Sequence, residues 1–114
     1  MFESPPTWHQ TSPWACARPG HFTHVTARQV VCVIRRQFGP TWRVALKVAR
    51  CESELDTRNV SPTSDYGVFQ INRPSHADAF RHDMFHAVWN ARYAYRLSRR
   101  GTDWSSWACH GWRP

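Results

Sequence analysis

A carboxylate stands where a helix should carry a hydrophobe. Trp42, Ala45, Val48 and Ala49 recur at helical spacing, and the next position on their stripe is Glu52. The acid therefore points toward apolar neighbours. Leu55 closes the pattern and Asp56 opens a turn-rich stretch, so Glu52 also falls in or near the last turn, where the helix dipole disfavours negative charge. Both effects raise a carboxyl pKa. A carboxylic acid that keeps its proton is what general acid catalysis requires, and a buried glutamate bonded to backbone groups would have the same pattern.

At 114 residues the chain suits one domain with a single core, and seven Trp and six Phe can supply that core in few positions. The formal charge of +7 points to anionic partners: nucleic acid, anionic lipid or bacterial wall polymer. The 15 Lys and Arg are scattered, with no five-residue basic block, which argues for a cationic surface and against sequence-directed nucleic-acid binding. The longest apolar run is Val30 to Ile34, too short for a membrane span or a conventional signal-peptide core.

Residues 1–25 are rich in Pro, Trp and polar residues and are expected to form an irregular arm over a domain spanning 26–114. Thr26 suits an N-cap, with Ala27, Val31, Ile34 and Phe38 as one helical face and Gly39-Pro40 as the stop. A second helix is expected from Thr41 to Leu55, and a small hairpin from Asn59 to Asn72. A short helix is expected over Pro74 to Phe80. A further helix from Phe85 to Arg99 carries the stripe Ala87, Ala91, Ala94, Leu97 and stops at Gly101, before a Trp-rich turn from Trp104 to Trp112. The fold class is α+β, mostly helical, with a small β lobe beside the helix of Glu52.

Two segments, Ala49-Arg50-Cys51-Glu52-Ser53 and Ser61-Pro62-Thr63-Ser64-Asp65-Tyr66-Gly67-Val68-Phe69-Gln70-Ile71-Asn72, resemble the lysozyme-like superfamily. The likeness extends through Asn90 and Gly101 to Trp107-Ala108-Cys109, covering about residues 26–109. Glu52-Ser53 followed by Ser61-Pro62-Thr63 and Gly67-Val68-Phe69-Gln70 is similar to the soluble lytic transglycosylase domain, whose glutamate is the single catalytic acid and base. Asp65 through Asn72 is similar to animal-type lysozymes, whose aspartate in that motif is the second catalytic carboxylate. The loop between the two carboxylates is shorter here than in animal lysozymes, and the late Ala-Tyr-Asn motif of many transglycosylases has no clear match.

The resemblance implies cleavage of the β-1,4 bond between N-acetylmuramic acid and N-acetylglucosamine in peptidoglycan. In the glycosidase scheme, for which lysozyme is itself the type case, one carboxylic acid protonates the leaving oxygen and a second carboxylate stabilises the oxocarbenium centre. Glu52 is the expected acid. Asp65, in a polar turn, is the expected ionised partner, and an Asx-type turn would also place an aspartate there. With Glu52 acting alone, the chemistry becomes that of a lytic transglycosylase. A wall-binding domain that kept the fold without activity is the alternative from another class. Ser61, Tyr66, Gly67, Gln70, Asn90 and Trp107 are the candidates for the substrate-binding surface. Gly67 would let the backbone approach a sugar, Gln70 would orient substrate or brace Glu52, and Tyr66, Trp104 or Trp107 would stack on sugar rings. Asn90, on the Ala87 stripe, is expected to anchor the lobe through buried hydrogen bonds. Glu54 is expected at the surface.

The four cysteines and seven histidines show no zinc-type spacing, and no metal or other cofactor is expected. Cys51 falls on the Val44, Val48, Leu55 face, which suits a bridge to Cys109, and Cys32, among Arg28, Arg35 and Arg36, suits one to Cys16. Disulfides imply an oxidising workplace. A monomer acting on the wall outside the cytoplasm is expected: a phage lysin released by a membrane-permeabilising partner, a virion component, or a processed secreted enzyme.

Overall fold

A computed structural model describes residues 12–111 of the chain. Among them are three α-helices, α1 (Ala27–Phe38), α2 (Trp42–Ser53) and α3 (Ala87–Leu97), and one antiparallel pair of two-residue strands, β1 (Asp65–Tyr66) and β2 (Ile71–Asn72). Single 3₁₀ turns lie at Pro13–Cys16, Gly39–Thr41, Ala77–Arg81 and Ala108–Gly111. No described helix is long and apolar enough to cross a membrane.

Helix α1 begins with a reciprocal cap: the Thr26 hydroxyl accepts from the Gln29 backbone N–H at 3.2 Å, and the Gln29 side chain accepts from the Thr26 N–H at 2.8 Å. Its buried face is Val30, Val33, Ile34 and Phe38. The expected face is therefore rotated: Ala27, in the exposed first turn, is solvated, and Val31 is half-buried at the edge. Gly39 and Pro40 end the helix and form a 3₁₀ turn that redirects the chain into α2.

Helix α2 buries Ala45, Leu46, Val48, Ala49 and Ser53, but stops two residues before Leu55 because Glu54 and Leu55 adopt left-handed conformations, φ 55° and 65°. Leu55 still drops into the core. Val44, by contrast, is 50% exposed, so the side of the helix that carries Cys51 is a surface and not the apolar face expected from sequence. Glu54 is exposed.

Helix α1 packs against both α2 and α3. Phe38 and Phe69 meet Trp104 where these elements converge, with Trp104 stacked on both rings. Trp104 is thus core, its indole N–H donating to the Gly101 carbonyl, and is not a sugar platform. The expected helix over Pro74 to Phe80 is the 3₁₀ turn Ala77–Arg81, and the helix expected over Phe85 to Arg99 is the shorter α3. Within the segment before α1, Phe22 is buried and stacks on His86 at the start of α3. Residues 1–11 of the expected arm, and Trp112 of the expected terminal turn, lie outside the described residues.

Cys16 is bonded to Cys32, and Cys51 to Cys109. The first bond ties the 3₁₀ turn before α1 to that helix. The second ties the last turn of α2 to the segment carrying Trp107.

Candidate active site

Glu52 emerges from the last turn of α2 into a small cleft of about 110 Å³, whose opposite wall is the hairpin. Asp65, Gln70, Asn72, His76, Leu97 and Trp107 are among the residues that line it. The stretch between α2 and β1 is too rich in turn formers to continue a helix. The β1–β2 register, Asp65 opposite Asn72 and Tyr66 opposite Ile71, then fixes which side chains face Glu52.

The two carboxylates occupy different surroundings. Burial among apolar neighbours pushes the Glu52 pKa up; the Cys109 backbone N–H, donating to Oε2 at 3.2 Å, pulls against this, while the negative charge of Asp65 adds to the rise and the Ala108 N–H opposes it. The net shift is upward. Asp65 is also partly desolvated, which alone would raise its pKa, but hydrogen bonds from Ser61, Thr63 and Asn72 outweigh that and lower it. The Ser61 and Thr63 hydroxyls donate to Oδ2 at 2.5 and 2.6 Å, and the Asn72 amide donates to Oδ1 at 2.9 Å. Burial, with the charge of Asp65, thus raises the proton affinity of one carboxyl, and hydrogen bonding lowers that of the other.

The remaining candidates separate into those at the cleft and those behind it. Gln70 lines the cleft, but its amide N–H groups donate to the Asn59 and Gly67 carbonyls at 3.1 and 2.9 Å, fixing the hairpin loop. Trp107 lines the cleft with most of its ring buried, and its indole N–H donates to the Phe69 carbonyl at 2.7 Å. Ser61 acts on Asp65, as described. Tyr66 is turned away, packed on Phe80 and Phe85, and is not among the lining residues.

Gly67 does not line the cleft either. It is buried at φ 76°, and a Cβ there would lie 2.2 Å from the Met84 carbonyl oxygen and 2.5 Å from the Asn90 amide nitrogen. The close approach that this glycine permits is to α3, not to a sugar. Asn90, fully buried, uses it: Oδ1 accepts from the Phe69 N–H at 2.8 Å, while Nδ2 donates to the Tyr66 and Met84 carbonyls, each at 2.9 Å. Asn90 is a clamp on the lobe. It makes no part of the cleft wall.

A family profile described as a lysozyme-like domain matches residues 28–109. The chain belongs to the lysozyme-like domain family. No curated protein and no solved structure matches it. The matched span of this lysozyme-like domain runs from the first turn of α1 to Cys109, so it holds both carboxylates, the three donors on Asp65 and the whole Cys51–Cys109 loop. Membership implies action on peptidoglycan, in a family generally of glycoside hydrolases or lytic transglycosylases, and hence work outside the cytoplasm.

Several residues of the lysozyme-like cleft escape a reading of the sequence. Thr63 and Asn72 lie inside the quoted motif, and a hydroxyl and an amide flanking an aspartate are a signal in themselves, yet their convergence depends on hairpin closure. His76, Leu97 and Ser106 reach the cleft from three separate segments and carry no local signal.

Proposed function

We propose that this lysozyme-like domain is a muramidase that hydrolyses the β-1,4 bond between N-acetylmuramic acid and N-acetylglucosamine, with Glu52 as general acid. One observation carries the reading: Glu52 and Asp65 line a single cleft, and their proton affinities are displaced in opposite directions. Glu52, protonated, donates to the glycosidic oxygen as the bond to the anomeric carbon breaks. Asp65, ionised, stabilises the positive charge that develops there. Both its oxygens already accept hydrogen bonds, Oδ2 from two hydroxyls and Oδ1 from an amide, which suits a fixed counter-charge better than an attacking nucleophile. Glu52, now a carboxylate, then takes a proton from the incoming water. The protein works as a monomer on the wall, and Trp107 and Gln70 contact the glycan.

The same engagement of Asp65 favours a second reading, in which Glu52 alone serves as acid and base and the muramyl 6-hydroxyl replaces water, as in a lytic transglycosylase. Digestion of purified peptidoglycan with chromatographic analysis of the products separates the two. Hydrolysis leaves reducing muramic acid, and Asp65→Asn then removes most activity. Transglycosylation leaves 1,6-anhydromuramic ends, and Asp65→Asn is mild. Glu52→Gln abolishes either reaction, a loss of at least ~10²–10⁴-fold for a general acid. A folded wild-type protein that binds walls and releases nothing would instead be a wall-binding module.

A further inference from the structure

A second, larger concavity of about 530 Å³ lies beside the cleft, between the 3₁₀ turn Ala77–Arg81 and the outer face of α3. Arg81, His82, Arg92, Arg96, Trp89 and Tyr93 line much of it. Arg92 and Arg96 are one helical turn apart, and their guanidinium groups rest over the Trp89 and Tyr93 rings at 5.4 and 5.7 Å. A guanidinium resting over a ring still has N–H donors to offer a planar acceptor. The Trp89 ring is itself fixed by His82, stacked at 3.6 Å and 6°. None of the three arginines forms an ion pair among the described residues. Asp78, the acid on this wall, accepts the Tyr93 hydroxyl at 3.0 Å. The groove is a cationic, ring-backed concavity.

It shares a wall with the cleft. His76 lines the cleft and meets Tyr93 of the groove edge-on at 5.6 Å, and Leu97 of the cleft follows Arg96 of the groove directly in α3. A peptidoglycan strand carries a peptide stem with free carboxylates on every second sugar. A strand seated at Glu52 would therefore deliver carboxylates to this groove at high local concentration.

We infer that the groove of Arg81, Arg92 and Arg96 is a stem-peptide site, which pairs the carboxylates of the substrate's peptide with guanidinium groups and makes the enzyme prefer stem-bearing over naked glycan. This rests on the glycan-cleaving reading of the adjoining cleft. The site sets which wall segments are held, and the bond-breaking groups remain Glu52 and Asp65.

The test is co-sedimentation of the Glu52→Gln protein, which does not digest its ligand, with insoluble sacculi freed of phosphate polymers by hydrofluoric acid. Arg92→Gln with Arg96→Gln should weaken binding about tenfold on these sacculi. Amidase removal of the stems should erase the difference between parent and variant. An equal loss on stem-free glycan would overturn the inference, as would unchanged binding by the variant or no binding by the parent. A loss confined to sacculi that keep their phosphate polymers would overturn it too, by making phosphate the ligand. Arg→Lys replacements, which keep charge but not the fork, should restore binding only in part. Cleavage products from the wild-type enzyme report separately on Glu52, so a failure of the chemistry and a failure of the groove are distinguishable.

Discussion

Glu52 and Cys109 are joined twice: the Cys109 backbone N–H donates to the Glu52 carboxylate at 3.2 Å, and its side chain is bonded to Cys51, the residue before Glu52. The disulfide holds in place the donor that tempers the acid's raised pKa. One contact region thereby bears on both stability and acid strength.

Breaking that bond should have two separable effects. Cys109→Ser opens a loop of 58 residues, which the chain-entropy account values at about 4 kcal/mol, read as a lower denaturation midpoint. Losing the fixed donor removes an interaction that favours ionised Glu52, so its pKa should climb further. The alkaline limb of the activity profile should then move to higher pH while the maximum falls, a combination that general loosening of the fold would not give.

Activity should be bell-shaped in pH. Asp65 is held below its ordinary value of 3.8 and Glu52 above its ordinary value of 4.5, so the acid limb belongs to Asp65 and the alkaline limb to Glu52. Replacing Ser61 and Thr63 together by Ala removes two donors to Asp65 and should move the acid limb upward, narrowing the bell. An unchanged acid limb in a pH–rate series would contradict the assignment of Asp65.

The raised pKa of Glu52 is also a statement about stability. A group whose folded pKa exceeds its unfolded value stabilises the fold while protonated, and that contribution is lost as pH rises through the folded value. Glu52→Gln cannot ionise. Its melting temperature should therefore match the parent below pH 4 and exceed it near neutrality, as measured by calorimetry across that range.

His86 should make the fold acid-sensitive in the opposite sense. Its Nδ1 accepts from the Val88 and Trp89 N–H groups at 3.2 and 3.4 Å, capping α3 in the neutral form. Burial lowers its pKa, with nearby His82 adding to the effect and Asp83 opposing it. Neutral His86 therefore contributes stability that is present above its ordinary pKa of 6.5 and lost as pH falls through the lower folded value. His86→Asn, a cap that does not titrate, should flatten the stability curve over that interval.

Gly67→Ala should destabilise by more than about 2 kcal/mol, because a methyl group there meets the Met84 carbonyl and the Asn90 amide and the backbone is left-handed. Chemical denaturation would measure it. An alanine that cost nothing would mean that the hairpin lobe is not clamped to α3 as described.

Much of the fold was legible because it follows from local periodicity and punctuation. Thr26, Gly39-Pro40 and the alanines of α3 announce their helices, and Glu52 is conspicuous on its stripe. What escaped depends on contacts distant in sequence. The rotation of α1 toward Val30 and Val33 is set by packing on α2 and α3, and the early end of α2 by two left-handed residues with no glycine to announce them. At the site, Gly67 reads locally as a residue that admits a ligand, and only the position of Asn90 reveals what it admits. Tyr66 and Trp104 have rings suited to sugars, but neighbours on other segments, Phe80 and Phe85 or Phe38 and Phe69, bury or engage them. The donors around Asp65 follow from a hairpin of two-residue strands, too short for alternation to be read.

The hydrogen bond from Cys109 to Glu52 spans 57 positions. A ribosome must add all of them after Glu52, and an oxidant must then close the Cys51 bond, before the acid has its partner. During synthesis the emerging polypeptide carries its glutamate without the group that tunes it, and in a thiol-rich compartment the finished polypeptide would still lack the fastening. The group that tempers Glu52 therefore arrives late, and its fastening waits on both chain completion and oxidation.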